Sequence, residues 1–362
     1  MTVKRDRFID FCKGFLILWV IHLHTVYFSG WGYISDNIRQ WSLLIDVPAF
    51  FFISGYLTKV VDCNTSVKKC AKQFWYLYSN YLFLSCLLLV PLYLFELFKA
   101  RNFSDLQLAI TSMLKVNQTG NVWDNFPAYQ GSLWYLAVYL SILLFVPLAI
   151  SLFATQKSRT IVLILIFLFF VCSRYLKFNY DFLLTQTSYI FFYLFIYMLG
   201  VAYRIDEKNI RIDHLKLTFF LNLTLCIVIF FYVDHSAIQL RSYKFPPSFE
   251  YLTYSLILIH VIAIAKRIWH YPTQNLTNKA FQLLEWCGIN VYFIYLFQGV
   301  ACSLTGFLVS LIKNHVSVFI LYLIVLILNI CITVVFTFLY LKVKTNFSNL
   351  IVKNIGNRNV PY

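Results

Sequence analysis

The chain has 362 residues, 60% of them hydrophobic and 12% charged, with a formal net charge of +15. Such an apolar composition excludes a water-soluble globular protein of this size. The basic excess follows from the loops and from anionic lipid, so it is no evidence for a nucleic-acid partner.

Apolar runs of about twenty residues recur along the chain, which is the length of a membrane-crossing helix and too long for a barrel strand. The expected fold is all-α: a polytopic integral membrane protein with about ten transmembrane helices, embedded in the lipid bilayer. The first run, "RFIDFCKGFLILWVIHLHTV" from Arg7 to Val26, carries Lys13 at its start and lacks a small-residue cleavage site. It reads as the first span, over 14–30, and not as a cleaved leader. Lys13 and His24 are eleven residues apart, almost three full turns, so they share a helix face with about 16 Å of axial separation. His22 sits about 200° around the helix from His24 and faces elsewhere. An ionisable group at membrane depth is costly and faces a cavity or a partner. A lysine near a helix end can instead snorkel to the headgroups, and a lone histidine can be a satisfied packing residue.

The second span, 41–58, contains "WSLLIDVPAFFFISGYL" and carries Asp46 at a depth comparable with His24. A carboxylate there can pair with the imidazole, fix its tautomer and raise its basicity. A structural bridge without chemistry has the same signature. The third span covers 74–98. Between Lys99 and Gln130 the chain leaves the membrane for longer than a connector needs, and "SDLQLAITSMLK" has helical spacing with Ser104 as N-cap, which suggests a short interfacial helix. Trp123, Asp124, Asn125 and Tyr129 follow; they could hold a sugar ring or form an aromatic belt at the headgroups. "GSLWYL" then brings Trp134 and Tyr135 into the fourth span, 131–153. The remaining spans are expected at 160–174, 184–203, 217–233, 248–265, 288–311 and 317–341. Asn290 and Gln298 belong to "GINVYFIYLFQ" in the ninth. The chain is read as one membrane domain, 1–345, with a C-terminal tail, 346–362. The cysteines lie within spans or toward one side of the membrane, so no disulfide is expected. The sequon at Asn117 is a pattern common by chance. No metal cluster, nucleotide loop or Ser-His-Asp arrangement is visible.

Loop charge sets the orientation. One side of the membrane holds 21 of the Lys and Arg residues and the other holds 9, which places both termini in the cytoplasm.

The pieces "KGFLILWVIHLH", "VPAFFFISGYL", "GSLWYL", "FIYMLGVAYR" and "GINVYFIYLFQ", in that order and spacing, resemble the membrane-bound acyltransferase family three, the O-acetyltransferases of cell-envelope sugars. The resemblance covers nearly the whole chain. It implies a bacterial inner (plasma) membrane protein with no permanently bound cofactor, acetyl-CoA as acyl donor and an envelope saccharide as acceptor. It also implies Lys13 near the donor's anionic end and His24 near the reacting centre. The chain departs from the family where Asp46 and Gln298 stand in place of histidines, and where the basic pair after the second span appears as Lys68, Lys69 and Lys72. His24 would act as general base on a sugar hydroxyl or as a nucleophile carrying the acyl group. Trp134, Asn290 and Gln298 are candidate donors to the oxyanion, and Tyr135 joins them in substrate binding. A transporter or flippase for lipid-linked saccharides, or a glycan polymerase, would share the composition. Transporters show two related halves, and no internal repeat is evident. Oligomeric state is not legible.

Reporter fusions after Lys72 and Lys216 are expected to signal the cytoplasm, and fusions after Gly120 and Arg241 the outside. A cytoplasmic signal at Gly120 would overturn the order of spans.

Overall fold

The computed structural model describes residues 5–29, 34–98, 103–116, 124–176, 180–182, 184–233, 239–269 and 278–356. Helix α1 (Arg7–Phe28) begins at Asp6, whose carboxylate accepts from the Ile9 N–H at 3.3 Å, an N-cap that satisfies one of the helix's first free donors. The expected second span is divided. Its residues form α2 (Asp36–Ser42), a turn carrying Asp46, and α3 (Pro48–Leu57). Pro48 has no N–H with which to continue a helix from the preceding residues, so α3 starts there. Ten residues of helix rise only about 15 Å, half of the hydrocarbon thickness.

Next come α4 (Cys63–Phe98) and α5 (Phe103–Leu114). The latter is the short helix expected in the long loop, tied to α4 by Tyr78 and Tyr81, whose hydroxyls donate to the Leu114 and Met113 carbonyls, each at 2.8 Å. Helices α6 (Pro127–Ser132) and α7 (Trp134–Ser151) run on as one apolar stretch, followed by α8 (Gln156–Tyr175). A two-rung hairpin, β1 (Asp181–Phe182) with β2 (Thr185–Gln186), leads into α9 (Thr187–Asp206). Then follow α10 (Ile212–Tyr232), α11 (Leu240–Lys244) and α12 (Phe249–Ile268). The expected ninth span starts later than its apolar pattern, because α13 (Lys279–Ile289) and α14 (Val291–Ile312) meet at Asn290. Helix α15 (Val318–Gly356) continues well past its apolar part. Nine helices among the described residues are long and apolar enough to span a membrane, one fewer than expected, and the missing one is the divided second span.

Helices α1, α7, α9 and α14 form the interior, and α4, α8, α10 and α15 surround them. The outer helices present large apolar side chains outward, as Leu217, Phe220 and Leu221 of α10 do, which suits lipid and not water.

Two helix crossings carry a glycine on each side, neither of which has room for a Cβ. A Cβ on Gly55 of α3 would lie 1.8 Å from the Tyr197 carbonyl oxygen of α9, and one on Gly200 of α9 would lie 2.0 Å from the Phe52 oxygen of α3. The same reciprocity joins α1 to α13. A Cβ on Gly14 would meet the Leu284 oxygen at 1.8 Å, and one on Gly288 the Asp10 oxygen at 1.7 Å. Small residues let membrane helices approach backbone to backbone.

A polar pin fixes α1 to α14 and α15. The Asn329 amide donates to Thr25 Oγ1 at 2.8 Å and to Ser29 Oγ at 3.0 Å, and its oxygen accepts from Thr305 at 2.6 Å.

Gly200→Val is expected to destabilise the bundle by about 1–3 kcal/mol or more, the cost of forcing atoms into a filled core, read as a lower thermal midpoint in detergent. An unchanged midpoint would show that the α3–α9 crossing can open without loss.

Candidate active site

Helix α1 delivers its two functional candidates to two different cavities. His24 lines one of about 590 Å³, together with Tyr27, Phe28, Trp134, Arg241 and Lys244. Lys13 lines the other, of about 230 Å³, with Gln73, Tyr135, Tyr139, Tyr292 and Tyr295. The cavities share no lining residue, and they follow one another along α1 and α7. Trp134 and Tyr135, adjacent on α7, point about 100° apart on a helix, so that Trp134 faces the His24 cavity and Tyr135 the Lys13 cavity.

His24 is 8% exposed, and its ring meets Phe28 edge-on at 5.5 Å. Gly131 makes room for Phe28, since a Cβ there would lie 2.5 Å from the ring. His24 Nδ1 is buried without a hydrogen-bond partner, as are both amide atoms of Gln298. Gln298 is wholly buried and lies within interaction range of the imidazole, but the two side chains do not meet in hydrogen-bond geometry. Buried polar atoms without partners are rare in folded proteins, and here two such groups sit side by side.

The expected pairing of Asp46 with His24 is not formed. Asp46 Oδ2 instead accepts from Lys244 Nζ at 2.5 Å and from the Tyr251 hydroxyl at 2.9 Å. Both charged side chains are almost wholly buried, at 3% and 4% exposure. Burial pushes the Lys244 ammonium below the ordinary lysine range, and the Asp46 charge opposes that push. The ammonium also stands over the Trp134 ring at 4.8 Å and the Phe245 ring at 5.0 Å. The pair still acts on His24 through its charges. Lys244 is the residue that sequence reasoning missed, because in "RSYKFPPSFEY" it counts only as a loop cation. The signal was its place just ahead of Ser248, the cap that starts α12.

Lys13 pairs with Asp10 at 2.7 Å, and Asp10 also accepts from Arg5. Two cations on one carboxylate leave positive charge at this end of α1. Asn290 donates its amide to the Trp286 carbonyl at 2.9 Å, so it serves the α13–α14 junction and lines neither cavity. His22 bonds the Tyr322 hydroxyl of α15 at 2.7 Å, on the side away from His24. Tyr129 is fully buried, bonded to Ser85 at 2.9 Å, and is no sugar platform. Trp123 and the Asn117 sequon lie outside the described residues.

A protein-family model described as an acyltransferase domain matches residues 6–338. No curated protein and no solved structure matches the chain.

Removing one member of a buried ion pair strands its partner, at a cost of about 3–5 kcal/mol. Asp46→Asn is therefore expected to lower the thermal midpoint sharply, and Asp46→Asn with Lys244→Met to recover most of the loss. A midpoint indifferent to Asp46→Asn would mean that Lys244 sheds its proton or reaches water.

Proposed function

The chain belongs to acyltransferase family 3, and from that membership we propose an O-acetyltransferase that moves an acetyl group from acetyl-CoA to a hydroxyl of a cell-envelope polysaccharide or its lipid-linked precursor. The observation that carries this reading is His24: an imidazole in a cavity wall, with a buried nitrogen that no protein group satisfies.

In this reading the Lys13 cavity is the donor's entrance. Its lining, Lys13 among Tyr135, Tyr139, Tyr292, Tyr295 and aliphatic side chains, suits a largely apolar thioester arm. The phosphates would stay at the mouth, where Lys13 and Arg5 outnumber Asp10 and where Lys68, Lys69 and Lys72 precede Gln73 on α4. The positive-inside orientation makes that mouth cytoplasmic. The His24 cavity takes the acceptor from the other side, with Trp134 offering an apolar face for a sugar ring.

The chemistry is a proton problem. A sugar hydroxyl becomes nucleophilic as a base removes its proton, and neutral imidazole has the basicity to do so near pH 7. The hydroxyl oxygen bonds to the thioester carbon, the carbon–sulfur bond breaks, and the proton held by His24 passes to the departing thiolate. Gln298 is placed to hold the imidazole or to donate to the developing oxyanion. Asp46 takes part through Lys244 and not by touching His24.

Labelled acetyl-CoA and purified protein test the reading. His24→Ala is expected to lower turnover by about two to four orders of magnitude, the range typical of losing a general base, without a shift in thermal midpoint. His22→Ala should stay within a few-fold of wild type. Lys13→Arg should bind donor better than Lys13→Glu, since a phosphate contact needs positive charge. Normal transfer by His24→Ala would overturn the assignment, and complete indifference of the wild type to acetyl-CoA would favour a saccharide carrier or a polymerase.

A further inference from the structure

The His24 cavity is unbalanced in charge. Arg241 and Lys244 line it, and among the described residues no carboxylate does. Lys244 is neutralised from behind by Asp46 at 2.5 Å, and neighbouring Arg39 by Asp36 at 3.3 Å. Arg241 is left over. Its backbone N–H donates to Gln40 Oε1 at 2.8 Å, which anchors the residue at the cavity rim. Its guanidinium lies 5.9 Å from the centre of the Tyr27 ring, and no carboxylate pairs with it among the described residues.

A guanidinium presents a planar fork of donors that matches a carboxylate or a phosphate and gains little from a neutral hydroxyl. The arginine's backbone is held by the bond to Gln40, and among the described residues Asp46 and Asp36 are committed to Lys244 and Arg39. An anion brought by the acceptor would complete the local balance. Resting on the acyltransferase reading, we propose that the acceptor is an acidic glycan, bearing a sugar carboxylate or a phosphate, and that Arg241 receives this group while the ring lies against Trp134. The rival occupant of an exposed arginine at a membrane surface is an anionic lipid headgroup.

The test uses the full chain in phosphatidylcholine nanodiscs and follows tryptophan fluorescence as methyl glucuronide, glucose 6-phosphate or methyl glucoside is added. At least one anionic probe is expected to bind about tenfold more tightly than the glucoside, the size of one charge-assisted hydrogen bond. Arg241→Glu should erase the preference, Arg241→Lys should keep part of it, and Lys59→Glu, on the opposite side of the protein, should leave it intact. Equal binding of all three probes, binding of none, or a preference that survives Arg241→Glu overturns the proposal. So does a preference that disappears when phosphatidylglycerol is added, which would make Arg241 a headgroup site. Acetyl-CoA turnover is measured on the same samples. An Arg241-dependent preference without turnover would remove the transferase reading and keep the acidic ligand, whereas turnover with equal binding would remove only the acidic acceptor.

Discussion

Asp46 and Lys244 are almost wholly buried, and neither charge is tolerable there without the other. Their pairing ties the turn between α2 and α3 to the segment that enters α12, so two otherwise unrelated breaks in the bundle become one wall of a cavity. The Tyr251 hydroxyl supplies a further bond to the carboxylate, and the Tyr251 ring stacks on Phe192 at 5.5 Å, which carries the restraint into α9. On the other side the ammonium lies over Trp134 and holds the aromatic wall of the His24 cavity. A break in the second span is thus the condition for having a polar site at that depth. A continuous helix would have bonded these backbone groups internally and left Asp46 on its surface.

The interior handles its other polar groups in two ways. Around Asn329, donors and acceptors on α1, α14 and α15 satisfy one another, as a membrane interior requires. Next to Thr25 of that pin, His24 Nδ1 is left without a partner, and so is the Gln298 amide. Other buried hydroxyls, those of Thr333, Thr337 and Tyr193, are also without a partner, but of these groups only His24 lines the cavity. A site that must bind a reacting group keeps polar valences for that group, and the satisfied pin beside it keeps α1 from relaxing to fill them.

Much of this was legible in the chain. Hydropathy found the spanning helices, because a twenty-residue apolar run has few alternatives, and helical periodicity separated His24 from His22, which the structure turns toward Tyr322. The partner of Asp46 was not legible. Lys244 is 198 residues away, and its place four residues before the Ser248 cap marks a helix entry without naming the partner that its ammonium finds. Matching depth in neighbouring helices suggested His24, but depth alone cannot choose between two partners at the same level. Asn290, at the start of α14, has the composition of a site residue, and its amide donates to the Trp286 carbonyl at the α13–α14 junction.

The quoted motifs acquire a physical meaning from the crossings. Gly14 lies in "KGFLILWVIHLH" and Gly288 opens "GINVYFIYLFQ", and each occupies the position where the other's helix comes too close for a side chain. Gly55 of "FFFISGYL" and Gly200 of "FIYMLGVAYR" stand in the same relation. The short pieces that are weak evidence singly are therefore coupled in pairs by contact. One crossing seats α1, and with it Lys13 and His24. The other seats α3, whose first turn follows Asp46. Both sides of the candidate site thus depend on backbone contacts that admit no Cβ, and the glycines in those motifs are needed for the site's geometry although none of the four need touch a substrate.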